Sequence, residues 1–174
     1  MIRQSSVLEA TKLDQDAALA FISHVIKVHQ LSLREVETLI RYLEIYQTLS
    51  DHKGLAENVI FGYKLLRIMG VVLFCLDTDL ASSICKGRAD AKILAGFLGE
   101  SCIVPIREGG LSTDHHQVIV AMLAQECFYN SDLFTPEQGQ HEAEWDELIR
   151  LYSREGGFPP NKGRRSQVVV VVVA

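Results

Sequence analysis

Apolar residues recur along most of this chain at intervals of three and four, the period of an amphipathic α-helix. A first helix is predicted over 14–30, with Phe21, Ile22, Val25, Ile26 and His29 on one side. A second is predicted over 33–49, where Leu33, Val36, Leu39, Ile40 and Leu43 form a stripe for burial. A third covers 55–76, with Gly62 and Gly70 inside it, each costing roughly 1 kcal/mol relative to Ala. Two short helices follow over 80–86 and 89–98. A sixth starts at Ser112 or Thr113 and carries Val118, Ile119, Met122, Leu123 and Cys127. The seventh presents Trp145, Leu148, Ile149 and Tyr152 at i, i+3, i+4 and i+7, a narrow apolar stripe on a charged helix. The expectation is an all-α fold: an irregular bundle of about seven helices, with Leu66, Leu73, Leu94, Phe97, Met122 and Leu123 joining the core.

The boundaries between these segments carry local chemistry. Ser32 and Glu35 have the spacing of a capping box, in which each side chain takes the other residue's backbone N–H. Residues 50–54, SDHKG, have turn composition. Asp77, Thr78 and Asp79 offer N-caps, and Gly87 and Gly99 are placed as helix stops. Thr135, Pro136 and Gln138 open the last helix, and Gly156-Gly157-Phe158-Pro159-Pro160 ends it. The stretch 102–110 is a loop or a short extended piece. The division expected is a helical domain over 1–158 and a tail over 159–174. That tail is a basic polar linker followed by six valines, Val168 to Val173, expected to be unstructured or extended.

At 174 residues and 48% apolar composition, the chain is long enough to bury a core. A net charge of −5 gives no general basic surface for phosphate backbones, so no nucleic acid partner is expected. Cys75, Cys85, Cys102 and Cys127 are widely spaced and read as reduced core residues of a cytoplasmic protein. The most apolar window, 59–76, is interrupted by Lys64 and Arg67, which argues against a membrane span.

Candidate catalytic chemistry is sparse. The sequence contains no G-x-x-x-x-G-K-[ST], so it has no phosphate-cradling loop. Residues 71–77 superficially match an apolar strand ending in a metal-positioning aspartate, but the helical pattern runs through them unbroken. His141-Glu142 begins like a zinc-protease motif and ends in Trp145 where the second ligand would stand. His115 and His116 are adjacent, and adjacent positions on a helix face different ways. The Asp77 and Asp79 pair serves capping better than metal binding. No metal site or catalytic residue is nominated.

Arg34 stands two residues inside the second helix, off its apolar stripe. A cation there is mildly opposed by the helix dipole, which invites an anionic partner. Residues 21–44, FISHVIKVHQLSLREVETLIRYLE, and 65–99, LLRIMGVVLFCLDTDLASSICKGRADAKILAGFLG, resemble the helical region of the KAP family of P-loop NTPases. In that family an apolar helix likewise leads into an Asp-rich turn, two small helices and a terminal Phe-Leu-Gly. Arg34 matches the arginine of the family's L-[ST]-L-R-[DE] signature. By similarity to lid arginines of related ATPases, it is implied to reach the γ-phosphate and report nucleotide state.

The resemblance implies a bacterial, cytoplasmic, lid-like fragment that is not an enzyme on its own. ATP and Mg would belong to an adjacent nucleotide-binding core, and membrane association would come through segments outside this chain. Two other readings stand beside it. One is a helical protein–protein interaction module, with Trp145 and Tyr152 as contact residues. The other is a helix-turn-helix DNA reader opening at LSLREVETLIRYL, although residues 49–66, where its recognition helix would fall, turn apolar.

Overall fold

The computed structural model describes residues 5–11, 17–59, 61–86, 88–89 and 91–99. Six α-helices and no strand occur among the described residues: α1 (Ser6–Glu9), α2 (Ala17–Val28), α3 (Leu33–Leu49), α4 (Phe61–Leu76), α5 (Thr78–Cys85) and α6 (Ala91–Phe97). The fold is all-α, as the apolar period predicts. The helices expected from Ser112 or Thr113 and from Thr135, and the tail from 159, lie outside the described residues.

The organising element is α4, which packs against α2, α3 and α5. Leu65, Leu66, Ile68, Met69, Val71, Val72 and Leu73 of α4 are all buried. A helix apolar on nearly every side belongs inside a bundle, and each such side chain contributes roughly 1.5–3 kcal/mol of burial. Phe21, Ile22 and Val25 of α2 close one side of it, and Leu39 and Leu43 of α3 another. Leu80 and Ile84 of α5 and Leu94 of α6 complete the same cluster.

Helix ends follow local rules. Gln30, at φ 50, closes α2: its N–H donates to the Lys27 carbonyl at 3.3 Å, and the Leu31 N–H donates to the Ile26 carbonyl at 3.1 Å. Asp51, at φ 51, ends α3 in the same way, with His52 N–H donating to the Gln47 carbonyl at 2.8 Å. Both are Schellman closures carried by residues other than glycine. Asp77 caps α5 by accepting from Leu80 N–H at 2.8 Å. Gly99 stops α6 at φ 72, and a Cβ there would lie 3.0 Å from a Val28 methyl. Both its backbone conformation and its clearance therefore favour glycine.

Two histidines tie α6 to α2. His24 Nε2 lies 2.8 Å from the Leu98 carbonyl, and His29 Nε2 lies 2.8 Å from the Phe97 carbonyl. A carbonyl can only accept, so each Nε2 carries a proton and satisfies an end group that α6 leaves open. The His29 and Phe97 rings also meet at 4.4 Å.

Several expectations are corrected. Leu33 is 68% exposed, because the first turn of α3 runs past the core. Val36 and Phe97 are half-buried and pack against the cluster, whereas Ile40, Leu43, Leu66, Leu73 and Leu94 are fully inside. Cys85 is exposed and Cys75 half-buried, and both are free thiols. Burial pushes the Cys75 thiol up to about 11. The helix expected from 55 starts at Phe61. Residues 54–59 are instead spent on the reversal, where Leu55 is buried and its N–H donates to Gln47 Oε1 at 2.7 Å. Gln47 Nε2 donates to the His52 carbonyl at 2.8 Å, and the Arg67 guanidinium donates to the Gly54 carbonyl at 2.6 Å. The short α1, capped by Ser5, has no counterpart among the seven predicted helices.

Candidate docking surface

The start of α3 is built as its sequence demands. Ser32 is the N-cap, with Glu35 N–H donating to Ser32 Oγ at 3.4 Å and Ser32 N–H donating to Glu35 Oε2 at 2.8 Å. The Ser32 hydroxyl donates to the same carboxylate at 2.7 Å. These bonds, the side-chain one foremost, hold the Glu35 carboxyl below its usual range. With its cap closed and its far end fastened through Gln47, α3 is a fixed rod rather than a fraying end.

Arg34 lies on the exposed part of this rod, as its position off the stripe predicts. Its carbonyl accepts from Thr38 Oγ1 at 2.9 Å, while its guanidinium meets no partner among the described residues. A surface ion pair with Glu37 or Asp51 is not formed. At about 100° per residue, Arg34, Thr38, Arg41, Tyr42, Ile45 and Leu49 share one arc of α3. All six are exposed.

The apolar end of that arc lies off the stripe predicted for burial. Tyr42 is 37% exposed, Ile45 44% and Leu49 81%, and Phe74 of α4 beside them is 58% exposed. The Tyr42 and Phe74 rings meet edge to face with centroids 5.5 Å apart, so the patch spans two packed helices. A signal was present in the sequence. Tyr42, Ile45 and Leu49 repeat at i, i+3 and i+7, a second apolar row parallel to the buried one.

Trp145 and Tyr152 lie outside the described residues, as do His115, His116 and His141. Asp77 is a helix cap and Asp79 is exposed, and no group of three metal-ligating side chains occurs among the described residues. Residues 71–76 are helical, with Val71, Val72 and Leu73 in the core. Among the described residues no helix is long and apolar enough to cross a membrane. The chain matches no family model, no curated protein and no solved structure.

Proposed function

We propose that this chain is a non-catalytic helical module that works by docking the exposed arc of α3 against another protein surface. The observation that carries the reading is the composition of that arc: an Arg34 guanidinium without a partner among the described residues at one end and solvent-facing Tyr42, Ile45 and Leu49 at the other, on a capped helix. Exposed apolar patches rimmed by polar groups are a common mark of interaction sites, and a rigid helix presents one at little entropic cost.

The specific form of the proposal is the lid of a KAP-type P-loop NTPase, with an adjacent nucleotide-binding core as the partner. Arg34 then faces the nucleotide held by that core, where a guanidinium suits bidentate phosphate contact. What supports this form is the exposure of Arg34 and the match of LSLRE to the family's signature; nucleotide and Mg would both be held by the core.

The test is turnover. The chain by itself is expected to hydrolyse neither ATP nor GTP. In a complex with a KAP-type core, Arg34→Ala is expected to lower nucleotide turnover at least about tenfold, the scale of one charge-assisted hydrogen bond of roughly 1.5–3 kcal/mol. Unchanged turnover and nucleotide affinity, with complex formation retained, would remove the lid form and leave the interaction module.

A further inference from the structure

We propose that the apolar end of the α3 arc, Tyr42, Ile45 and Leu49 together with Phe74, is the docking face for this chain's own acidic segment 135–152. The inference rests on reading α3 as a docking element and names what occupies it in the free chain.

Size decides against a second copy. The exposed parts of these four side chains amount to on the order of 400 Å². That is below the ~800 Å² per partner that a stable association between free molecules buries. A tethered segment needs less, because its effective concentration is on the order of millimolar. The stretch between Gly99 and Thr135 spans roughly 30 Å even as a flexible coil, about the diameter of a small domain.

Pattern and charge select the segment. Trp145, Leu148, Ile149 and Tyr152 recur at helical spacing, a row of the kind that lies along an apolar groove. Around that row stand Glu142, Glu144, Asp146 and Glu147, with one arginine, Arg150. The arc of α3 has the opposite balance, with Arg34 and Arg41 within it and one carboxylate at its edge, Glu35, which the Ser32 cap engages. Opposed charges of this kind fix orientation more than they add affinity.

The chain has a single tryptophan, so its fluorescence reports the surroundings of this segment alone. In the full-length chain, Trp145 emission is expected to be blue-shifted and several-fold less quenched by acrylamide than in denaturant, independent of protein concentration. Ile45→Asp and Leu49→Asp, both at exposed positions, should move emission to the red and restore quenching while the helical circular dichroism is kept. Leu33→Asp, on the opposite side of the same helix, should change neither reading and controls for general loosening.

Three outcomes overturn the proposal. Trp145 already as accessible as in denaturant means that the face is open to another partner, and the module reading then stands without this contact. Protection that ignores both aspartates places the segment elsewhere. Protection that disappears on dilution assigns the face to a second copy. Failure of the docking reading itself registers separately, in the turnover and complex formation of the reconstituted enzyme.

Discussion

Helices α3 and α4 are of similar length and pack against each other, yet the bundle uses them in opposite ways. α4 buries consecutive residues from Lys64 to Leu66 and again from Val71 to Leu73, and among its described residues Phe74 is the large apolar side chain left in solvent. α3 buries only Leu39, Ile40, Leu43 and Gln47 and leaves a second apolar row in solvent. A helix enclosed by three neighbours is committed to stability. A helix covered on one side, as α3 is by α1 and α4, keeps surface for recognition, and α3 also secures its position through caps and loop clamps.

The sharpest way to break this comparison is to truncate both helices. Leu66→Ala in α4 is expected to cost about 2–5 kcal/mol by chemical denaturation, because it opens a cavity in a side chain that is fully enclosed. Ile45→Ala in α3 should stay within about 0.5 kcal/mol if its side chain faces water, and slightly more if segment 135–152 covers it. Equal losses at the two sites would erase the distinction.

Gln47 tests the clamp. Its amide satisfies the Leu55 N–H and the His52 carbonyl together. Gln47→Ala leaves both groups without that partner, at a cost of about 2 kcal/mol. Amide exchange should rise first in residues 51–55, ahead of the α4 core.

Ser32→Ala removes the cap of α3 and should cost about 1 kcal/mol near neutral pH. Its pH dependence follows from Glu35, whose carboxyl is held below the ordinary value of 4.5. A depressed folded-state value contributes stability that is fully present above the unfolded value and lost as pH falls through the folded one. The difference between wild type and Ser32→Ala should therefore narrow as pH falls below about 4.5. A constant difference across that window would mean that Glu35 takes no part in the cap.

The smallest effect is chemical. Cys75 lies half-buried on α4 with its thiol pushed up to about 11, whereas Cys85 at the end of α5 is exposed. Site-resolved alkylation near neutral pH should modify Cys85 before Cys75 and leave Cys75 until the bundle opens, since the thiolate is the reactive form. Early modification of Cys75 would show α4 to be less enclosed than its neighbours imply.

Parts of the candidate surface were legible in advance. Arg34 reads as a solvent-facing cation because it falls off the Leu39 and Leu43 stripe, and that is where it lies. Tyr42, Ile45 and Leu49 were visible as a second row but lost to the first one. A helix with apolar residues on two sides does not announce which side its neighbours will cover. Leu33 was misplaced for a related reason: periodicity extends a stripe to the end of the helix, but the core beneath it stops sooner.

The amino-acid sequence alone determined the bounds of α3 from Leu33 to Leu49, the Ser32 cap, and the halt at Gly99, and it narrowed the cap of α5 to Asp77, Thr78 or Asp79. These depend on backbone conformation and on groups three or four residues apart, which are neighbours in any context where the helix forms. Tertiary structure decided which face of α3 is buried and which of its apolar rows remains free. It decided that His24 and His29 close the end of α6 across 74 and 68 residues of chain. It also placed the buried Lys64 ammonium on the Thr11 carbonyl, 53 residues away. Burial is a property of what arrives from elsewhere in the chain, and local pattern can offer a face to the core without deciding whether the core accepts it.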